Sequence, residues 1–227
     1  MTSGARQLAL EWPHATSFAR DDFLAAPENA DALRLIDLWP HWTSSTMLLV
    51  GPKGSGKSHL GAIWTQFSRA GAVRGDALAG ADLVGLASCP ALLIDDVDRV
   101  DGAEAELFHL LNLLKEHGAS ALLTASRAPD AWGLKTPDLL SRLRLAPIVR
   151  LGEPDLELMR AVLFKLFSDR QLAVDPPVVN YLVLRLERSL DAARAIIEML
   201  DREALARGKP VTRALAAEIL RDEGEAV

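Results

Sequence analysis

The sequence predicts an α/β fold: a parallel sheet with flanking helices, followed by a small all-helical domain. Short apolar runs, typical of strands buried on both faces, alternate with helical patterns up to about residue 151. A glycine-rich loop connects the first of these runs to a helical pattern. Beyond Gly152 the strand signal ends and only helical patterns remain.

Four apolar runs predict the strands of the sheet. Each run is short and continuous, and turn-forming or polar residues follow most of them. Strands that alternate with helices in this way are connected in parallel, with helices covering both faces of the sheet. The predicted strands are residues 47–50, 91–94, 121–124 and 147–151.

Apolar residues at helical spacing predict three helices in the same part of the chain. The first begins at about Pro27 and ends at Pro40, because proline disfavours a helical conformation in the residue before it. The second begins near Lys57, and the third covers about residues 103–117. Residues 70–81 are rich in glycine and alanine and show no assignable pattern.

The region after Gly152 predicts three or four helices. Asp155 and Asp175 are candidate N-caps, and Pro176 suits a first helical turn. The helices are predicted over about residues 155–170, 176–187, 190–206 and 212–222.

These patterns divide the chain into three predicted segments. The first is an irregular N-terminal tail, the second is the α/β domain, and the third is the helical domain. The segments are residues 1–17, 18–152 and 153–227.

The amino-acid composition narrows the classes of protein to which this chain can belong. The formal net charge is −6, so free duplex DNA is a poor electrostatic match for the chain. A single cysteine excludes an internal disulfide. The N-terminus lacks the pattern of a secretory signal, and no apolar stretch approaches the roughly 20 residues of a membrane span. We therefore expect a soluble, cytoplasmic protein.

The glycine-rich loop matches the pattern G-x-x-x-x-G-K-[ST] in full. Its glycines let backbone N–H groups face phosphate oxygens, and the following helix adds its positive N-terminal end. Lys57 is predicted to reach the β- and γ-phosphates of ATP or ADP, and the Ser58 hydroxyl to bind Mg²⁺. The alternative is a turn that matches by chance. The predicted cofactor-binding residues are Gly51, Pro52, Lys53, Gly54, Ser55, Gly56, Lys57 and Ser58.

Two aspartates follow the second predicted strand, some forty residues beyond the loop. Asp95 is placed to hold Mg²⁺, directly or through water, and Asp96 to orient or deprotonate an attacking water. The alternative is a pair of acidic residues that merely ends a strand.

Three segments resemble the family of the bacterial replication initiator DnaA. Residues 92–98 resemble its Walker B motif, residues 106–112 the helix after it, and residues 122–129 its sensor 1 strand and the turn that follows. The resemblance implies a P-loop AAA+ fold with a helical lid domain. It also implies that Ser126 lies at a nucleotide-sensing position, where the family usually has an aspartate.

The resemblance assigns two arginines. Leu140-Ser141-Arg142-Leu143 resembles the end of the family's box VII, which implies that Arg142 acts on ATP bound to a neighbouring subunit. In the lid-like region, Arg194 corresponds to the sensor 2 arginine that touches nucleotide, and Arg188 is the alternative register. A solvated surface charge is the simpler interpretation for an isolated arginine.

The N-terminal tail contains a segment, Gln7-Leu8-Ala9-Leu10-Glu11-Trp12, that resembles the peptide by which bacterial proteins dock on the DNA sliding clamp. The resemblance implies that Gln7 bonds at the mouth of a pocket, which Leu8, Leu10 and Trp12 fill. The alternative is a tail that packs on the protein's own core.

Together these features resemble the Hda family of DnaA-related regulators. The resemblance implies an ATP- or ADP-binding protein that docks on the sliding clamp and promotes hydrolysis of DnaA-bound ATP, which lowers replication initiation. It implies weak ATPase activity of its own and no direct DNA-binding domain, and it is compatible with a homo-oligomer. One alternative is an AAA+ adaptor or loader that delivers another replication protein to DNA. A third interpretation is a stand-alone ATPase or small-molecule kinase.

Overall fold

A computed structural model describes residues 20–224 of the chain. The chain divides into two compact units, Phe18–Glu153 and the segment from Pro154 onward. Each unit has its own apolar core. No helix within residues 20–224 is long and apolar enough to cross a membrane.

The first unit is built on a parallel sheet of five strands in the order β2-β3-β4-β1-β5. Because the strands are parallel, their carboxyl ends meet at one edge of the sheet, where open α/β folds bind ligands. The predicted α/β class with a parallel sheet is confirmed. The strands are β1 (Thr46–Val50), β2 (Gly71–Arg74), β3 (Ala91–Asp95), β4 (Ser120–Ala125) and β5 (Ile148–Arg150).

Strand β2 was not predicted from the sequence. It lies at one edge of the sheet, and its residues alternate between half-buried and exposed. An edge strand needs no continuous apolar run, so Gly71-Ala72-Val73-Arg74 gave no strand signal. Its last residue, Arg74, pairs in register with Asp95 at the end of β3.

Helices cover both faces of the sheet, and successive residues of β1 face opposite layers. Leu48 and Val50 pack in the layer with α3, α4 and α5, whereas Met47 and Leu49 pack in the layer with α1 and α2. The helices are α1 (Ala30–Asp37), α2 (Lys57–Ser68), α3 (Leu83–Ala87), α4 (Glu104–Glu116) and α5 (Pro137–Leu145).

Three features of these helices differ from the sequence predictions, and one of them is that the short helix α3 was not predicted. Helix α1 begins at Ala30 and ends at Asp37, so it is shorter at both ends than the predicted Pro27 to Pro40. Helix α5 was not predicted, because Leu139 and Leu143 are its only fully buried residues and give too short a periodic pattern.

The second unit contains helices only within its described part. Asp155 caps α6 by accepting a hydrogen bond from the Leu158 N–H at 2.7 Å. Asp175 precedes α7 but makes no side-chain cap, contrary to the prediction, and α7 is shorter than predicted. The helices are α6 (Leu156–Asp169), α7 (Pro176–Val183), α8 (Leu190–Arg207) and α9 (Arg213–Gly224).

Candidate functional site

The glycine-rich loop connects the carboxyl end of β1 to the first turn of α2. Gly54 and Gly56 have φ angles of +71° and +100°, a conformation that other residues adopt at a cost. A Cβ atom on Gly51 would lie 2.9 Å from the Ser55 Oγ and from Leu151. The loop therefore folds tightly enough to present its backbone N–H groups at the start of α2.

Lys57, the first residue of α2, is 5% exposed. Its Nζ donates hydrogen bonds to the carbonyl oxygens of Gly51, at 2.8 Å, and of Pro52, at 2.9 Å. The ammonium group therefore lies within the loop itself. A cation beside the N-terminus of a helix is a strong site for a phosphate group.

Ser55 gives an independent sign that the loop suits a polar ligand. It is 4% exposed, and its hydroxyl oxygen has no hydrogen-bond partner in the described part of the chain. Buried hydroxyl groups are rarely left unpaired, because the lost hydrogen bonds cost free energy. A phosphate oxygen is a suitable partner for this group.

Ser58 and Asp95 form the candidate metal site. The Ser58 Oγ donates to the carboxylate of Asp95, with distances of 3.2 Å to Oδ2 and 3.4 Å to Oδ1. A hydroxyl and one carboxylate are oxygen ligands of the kind that Mg²⁺ uses together with phosphate and water. The residues present therefore fit Mg²⁺ bound with a nucleotide.

Thr124 ties this site to the second aspartate. It is fully buried near the end of β4, and its Oγ1 donates to Asp95 Oδ1 while accepting from the Asp96 N–H at 2.9 Å. Asp96 has a left-handed backbone, with φ of +50°. One hydroxyl thus fixes both acids, although Thr124 was not among the predicted site residues. The sequence feature that could have identified Thr124 is a hydroxyl side chain near the end of an otherwise apolar strand.

Arg74, at the end of the unpredicted strand β2, approaches Asp96. Its Nη2 lies 3.7 Å from Asp96 Oδ2 and 2.9 Å from Asp76 Oδ2. The hydrogen bond from Arg74 lowers the pKa of Asp76 below its ordinary value. A Cβ atom on Gly75 would lie 2.4 Å from the Asp96 carbonyl oxygen, so only glycine fits this close approach. Segment 71–77 therefore supports Asp96 from the edge of the sheet.

Ser126 follows β4 and is exposed. Its N–H donates to Asp98 Oδ2 at 2.9 Å, so Asp98 holds the loop after β4 in place. Ser126 also borders an open cleft of about 360 Å³ beside the glycine-rich loop. The cleft is lined by Val50, Gly51, Pro52, Ser126, Arg150, Leu151 and Glu153. Arg150 and Glu153 were not predicted as site residues.

Arg142 lies in α5, and its contacts are with α4 rather than with the glycine-rich loop. Its Nη1 donates to Asn112 Oδ1, and its guanidinium carbon lies 5.6 Å from the centroid of the Phe108 ring. Arg142 forms no ion pair with a carboxylate within residues 20–224. Arg144, two residues later, is by contrast paired with Asp130.

The remaining predicted residues lie in the second unit or outside the described residues. Arg194 lies in α8, where its Nη1 is 3.6 Å from Asp191 Oδ1. The alternative, Arg188, is exposed and immediately precedes Ser189, the N-cap of α8. The clamp-binding residues Gln7, Leu8, Leu10 and Trp12 lie outside the described residues, so their role stays a prediction.

Solved structures of similar fold include those of DnaA proteins. Domain III of the Thermotoga maritima replication initiation protein DnaA matches with a TM-score of 0.80 and 22% identity, covering 93% of this chain and 98% of that one. AMPPCP-bound DnaA from Aquifex aeolicus matches with a TM-score of 0.75 and 16% identity, covering 93% of this chain and 71% of that one. This chain has the AAA+ fold. The predicted fold class is therefore confirmed.

Proteins other than DnaA also have this fold. The Thermotoga maritima RuvB Holliday junction branch migration motor matches with a TM-score of 0.68 and 15% identity, covering 90% of this chain and 72% of that one. A scan against protein-family profiles finds no match. At these identities the likeness is one of fold, and function has to be argued from the site.

Proposed function

We propose that this chain is a nucleotide-binding AAA+ protein that docks on the DNA sliding clamp and promotes hydrolysis of ATP bound to the DnaA initiator. The observation that carries the proposal is Arg142, a guanidinium held by neutral groups and not by a carboxylate. An arginine whose partners are uncharged keeps its positive charge available for a phosphate group that belongs to neither α4 nor α5.

Nucleotide binding is supported by the loop and the two acids. The ammonium of Lys57 and the N–H groups at the start of α2 bind the phosphates, and the adenosine extends from them. Ser58 and Asp95 hold Mg²⁺, which neutralises charge on the phosphate oxygens when it is bound. The DnaA neighbour from Aquifex aeolicus binds AMPPCP, an analogue of ATP. We propose ATP or ADP as the ligand of this chain.

Asp96 is the candidate to orient an attacking water in the chain's own site. One side of its carboxylate faces Arg74, and its N–H is bonded to Thr124. A carboxylate that already contacts a guanidinium group is less available to position a water molecule. We propose that hydrolysis of the chain's own ATP is slow for this reason, and that Ser126 and Arg194 contact the nucleotide without driving the reaction.

Arg142 is proposed to act in a neighbouring site. Its contacts with Phe108 and Asn112 place it in the layer of α4 and α5, and none of them joins it to the loop Gly51–Ser58. A guanidinium supplied by one subunit to the ATP of another stabilises transition-state charge and is worth roughly 10³–10⁵ in rate. DnaA domains share the fold of this chain, and we propose a DnaA subunit as the neighbour.

Clamp docking is proposed from the sequence of the tail. Pull-down with purified sliding clamp tests it and separates this function from that of an adaptor or loader. The wild-type chain should bind the clamp, and replacing Gln7 and Leu8 with alanine should abolish binding without changing ADP affinity or the melting temperature. Retained clamp binding by the double variant would refute the assigned peptide, and no binding by the wild type would favour the adaptor.

A further inference from the structure

Arg150, the last residue of β5, lines the open cleft beside the glycine-rich loop. It pairs in register with Val50, the last residue of β1, so the two side chains lie on the same face of the sheet. Neighbouring strands are about 4.8 Å apart. Because the loop begins directly after Val50, Arg150 lies at the strand end adjacent to the start of the phosphate-binding loop.

The positive charge of Arg150 is not compensated by a carboxylate. Its side chain is exposed, and it forms no ion pair in the part of the chain between residues 20 and 224. Arg144, an exposed arginine of the same unit, is by contrast paired with Asp130. Glu153 lines the same cleft as Arg150 without pairing with it. The guanidinium of Arg150 is therefore available to an anionic ligand that enters the cleft.

The other polar groups of the cleft also suit a phosphate. Gly51 and Pro52, which line it, are the residues whose carbonyl oxygens accept hydrogen bonds from the Lys57 ammonium group. Ser126 lines the cleft as well, and because its N–H donates to Asp98, its hydroxyl is the group left for a ligand. The cleft thus brings together a guanidinium, a hydroxyl and the loop segment that the ammonium contacts.

The order of the strands indicates which phosphate Arg150 can contact. Ser58 and Asp95 fit a Mg²⁺ ion, which in nucleotide sites bridges the β- and γ-phosphate oxygens. Asp95 ends β3, and the next strand of the sheet is β4, which Ser126 follows directly. We therefore expect a γ-phosphate at the carboxyl end of β4, where the cleft lined by Ser126 and Arg150 opens. ADP has no γ-phosphate.

We propose that Arg150 binds the terminal phosphate of ATP held by the glycine-rich loop of the same chain, and thereby distinguishes ATP from ADP. This inference rests on the proposed function, because it requires a nucleotide in that loop. Hydrogen bonds from a guanidinium to a phosphate are charge-assisted and can be bidentate. Glu153, in the same cleft, repels the phosphate, so the cleft contains one residue that favours ATP and one that disfavours it.

Calorimetry with ADP and with AMPPCP, both in the presence of Mg²⁺, tests this role by binding alone. Arg150→Ala should weaken AMPPCP binding about tenfold or more, because charge-assisted hydrogen bonds to the terminal phosphate are lost. Its affinity for ADP should not change. Arg150→Gln, which keeps a polar side chain without the charge, should behave like Arg150→Ala. Because Arg150 is exposed, neither variant should lower the melting temperature of the nucleotide-free protein.

Two further variants separate charge from structure. Glu153→Gln should have the opposite effect and strengthen AMPPCP binding while leaving ADP affinity unchanged, because it removes the repulsion from the cleft. A merely structural role of the cleft would not give opposite effects at Arg150 and Glu153. Arg144→Ala is the matched control, since Arg144 is exposed, lies in the same unit and does not line the cleft. It should bind both nucleotides like the wild type.

The outcomes separate this inference from the proposed function. If the wild type binds neither nucleotide, the proposed function fails and the role of Arg150 fails with it. If the wild type binds ADP but not AMPPCP, or if Arg150→Ala keeps both affinities or loses both equally, the role of Arg150 is refuted and nucleotide binding stands. Selective loss of AMPPCP affinity in Arg150→Ala supports both.

Discussion

Replacing Thr124 with valine should destabilise the first unit and weaken binding of Mg²⁺-ATP, because one buried hydroxyl holds both candidate acids. The change keeps the shape of the side chain but removes the bond to Asp95 and leaves the Asp96 N–H unpaired. An unpaired buried donor costs about 1–3 kcal/mol, and a hydrogen bond to a charged group contributes about 1.5–3 kcal/mol. Asp95 keeps its contact with Ser58, so we expect the free energy of unfolding to fall by about 2–4 kcal/mol.

The assay is urea denaturation followed by tryptophan fluorescence, to which the first unit contributes four of the five tryptophans of the chain. Trp39, Trp42, Trp64 and Trp132 all lie within Phe18–Glu153. Thr124→Ser is the control, because it keeps the hydroxyl and loses one buried methyl group, worth about 0.8 kcal/mol. If valine costs no more than serine, the hydroxyl does not hold the two acids and this description of the site is wrong.

Two further predictions concern the loop and the start of α5. Lys57→Ala should abolish ADP binding in calorimetry, because the site loses the cation that meets the phosphates; unchanged affinity would contradict the phosphate role. Hydrogen bonds, chiefly from the Lys135 N–H, lower the pKa of Glu104 below its usual 4.5. The Glu104 carboxylate therefore contributes fully to stability above pH 4.5. This contribution is lost as the pH falls through the lowered pKa that Glu104 has in the folded state. Glu104→Gln should be less stable than the wild type at pH 7. When denaturation is measured at decreasing pH, the difference in free energy of unfolding between the two proteins should shrink below pH 4.5. A pH-independent difference would count against the carboxylate contacts.

The sequence located the centre of the sheet and the loop because their signals are local. Strands β1, β3 and β4 are buried on both faces, so each is a continuous apolar run. The loop between β1 and α2 needs glycine at positive φ and therefore carries a recognisable pattern. Asp95 and Asp96 could be placed beside it because the carboxyl ends of parallel strands share one edge.

The residues that the sequence did not locate act through contacts between distant parts of the chain. Arg74 reaches Asp96 only because the edge strand β2 pairs with β3, and that strand has no apolar run of its own. Thr124 bonds to Asp95 across neighbouring strands. The neutral surroundings of Arg142 depend on how α4 packs against α5, and α5 itself gave too weak a pattern to predict.

The most direct test of the account is the rate at which DnaA-bound ATP is hydrolysed in the presence of this protein and sliding clamp loaded on DNA. The proposal predicts that the wild type accelerates hydrolysis, that Arg144→Ala does so equally, and that Arg142→Ala loses the acceleration while keeping ADP affinity and clamp binding. Arg142→Lys should also fail, because a point charge on a flexible stem cannot replace the planar guanidinium at a phosphate. Wild-type acceleration by Arg142→Ala would contradict the account.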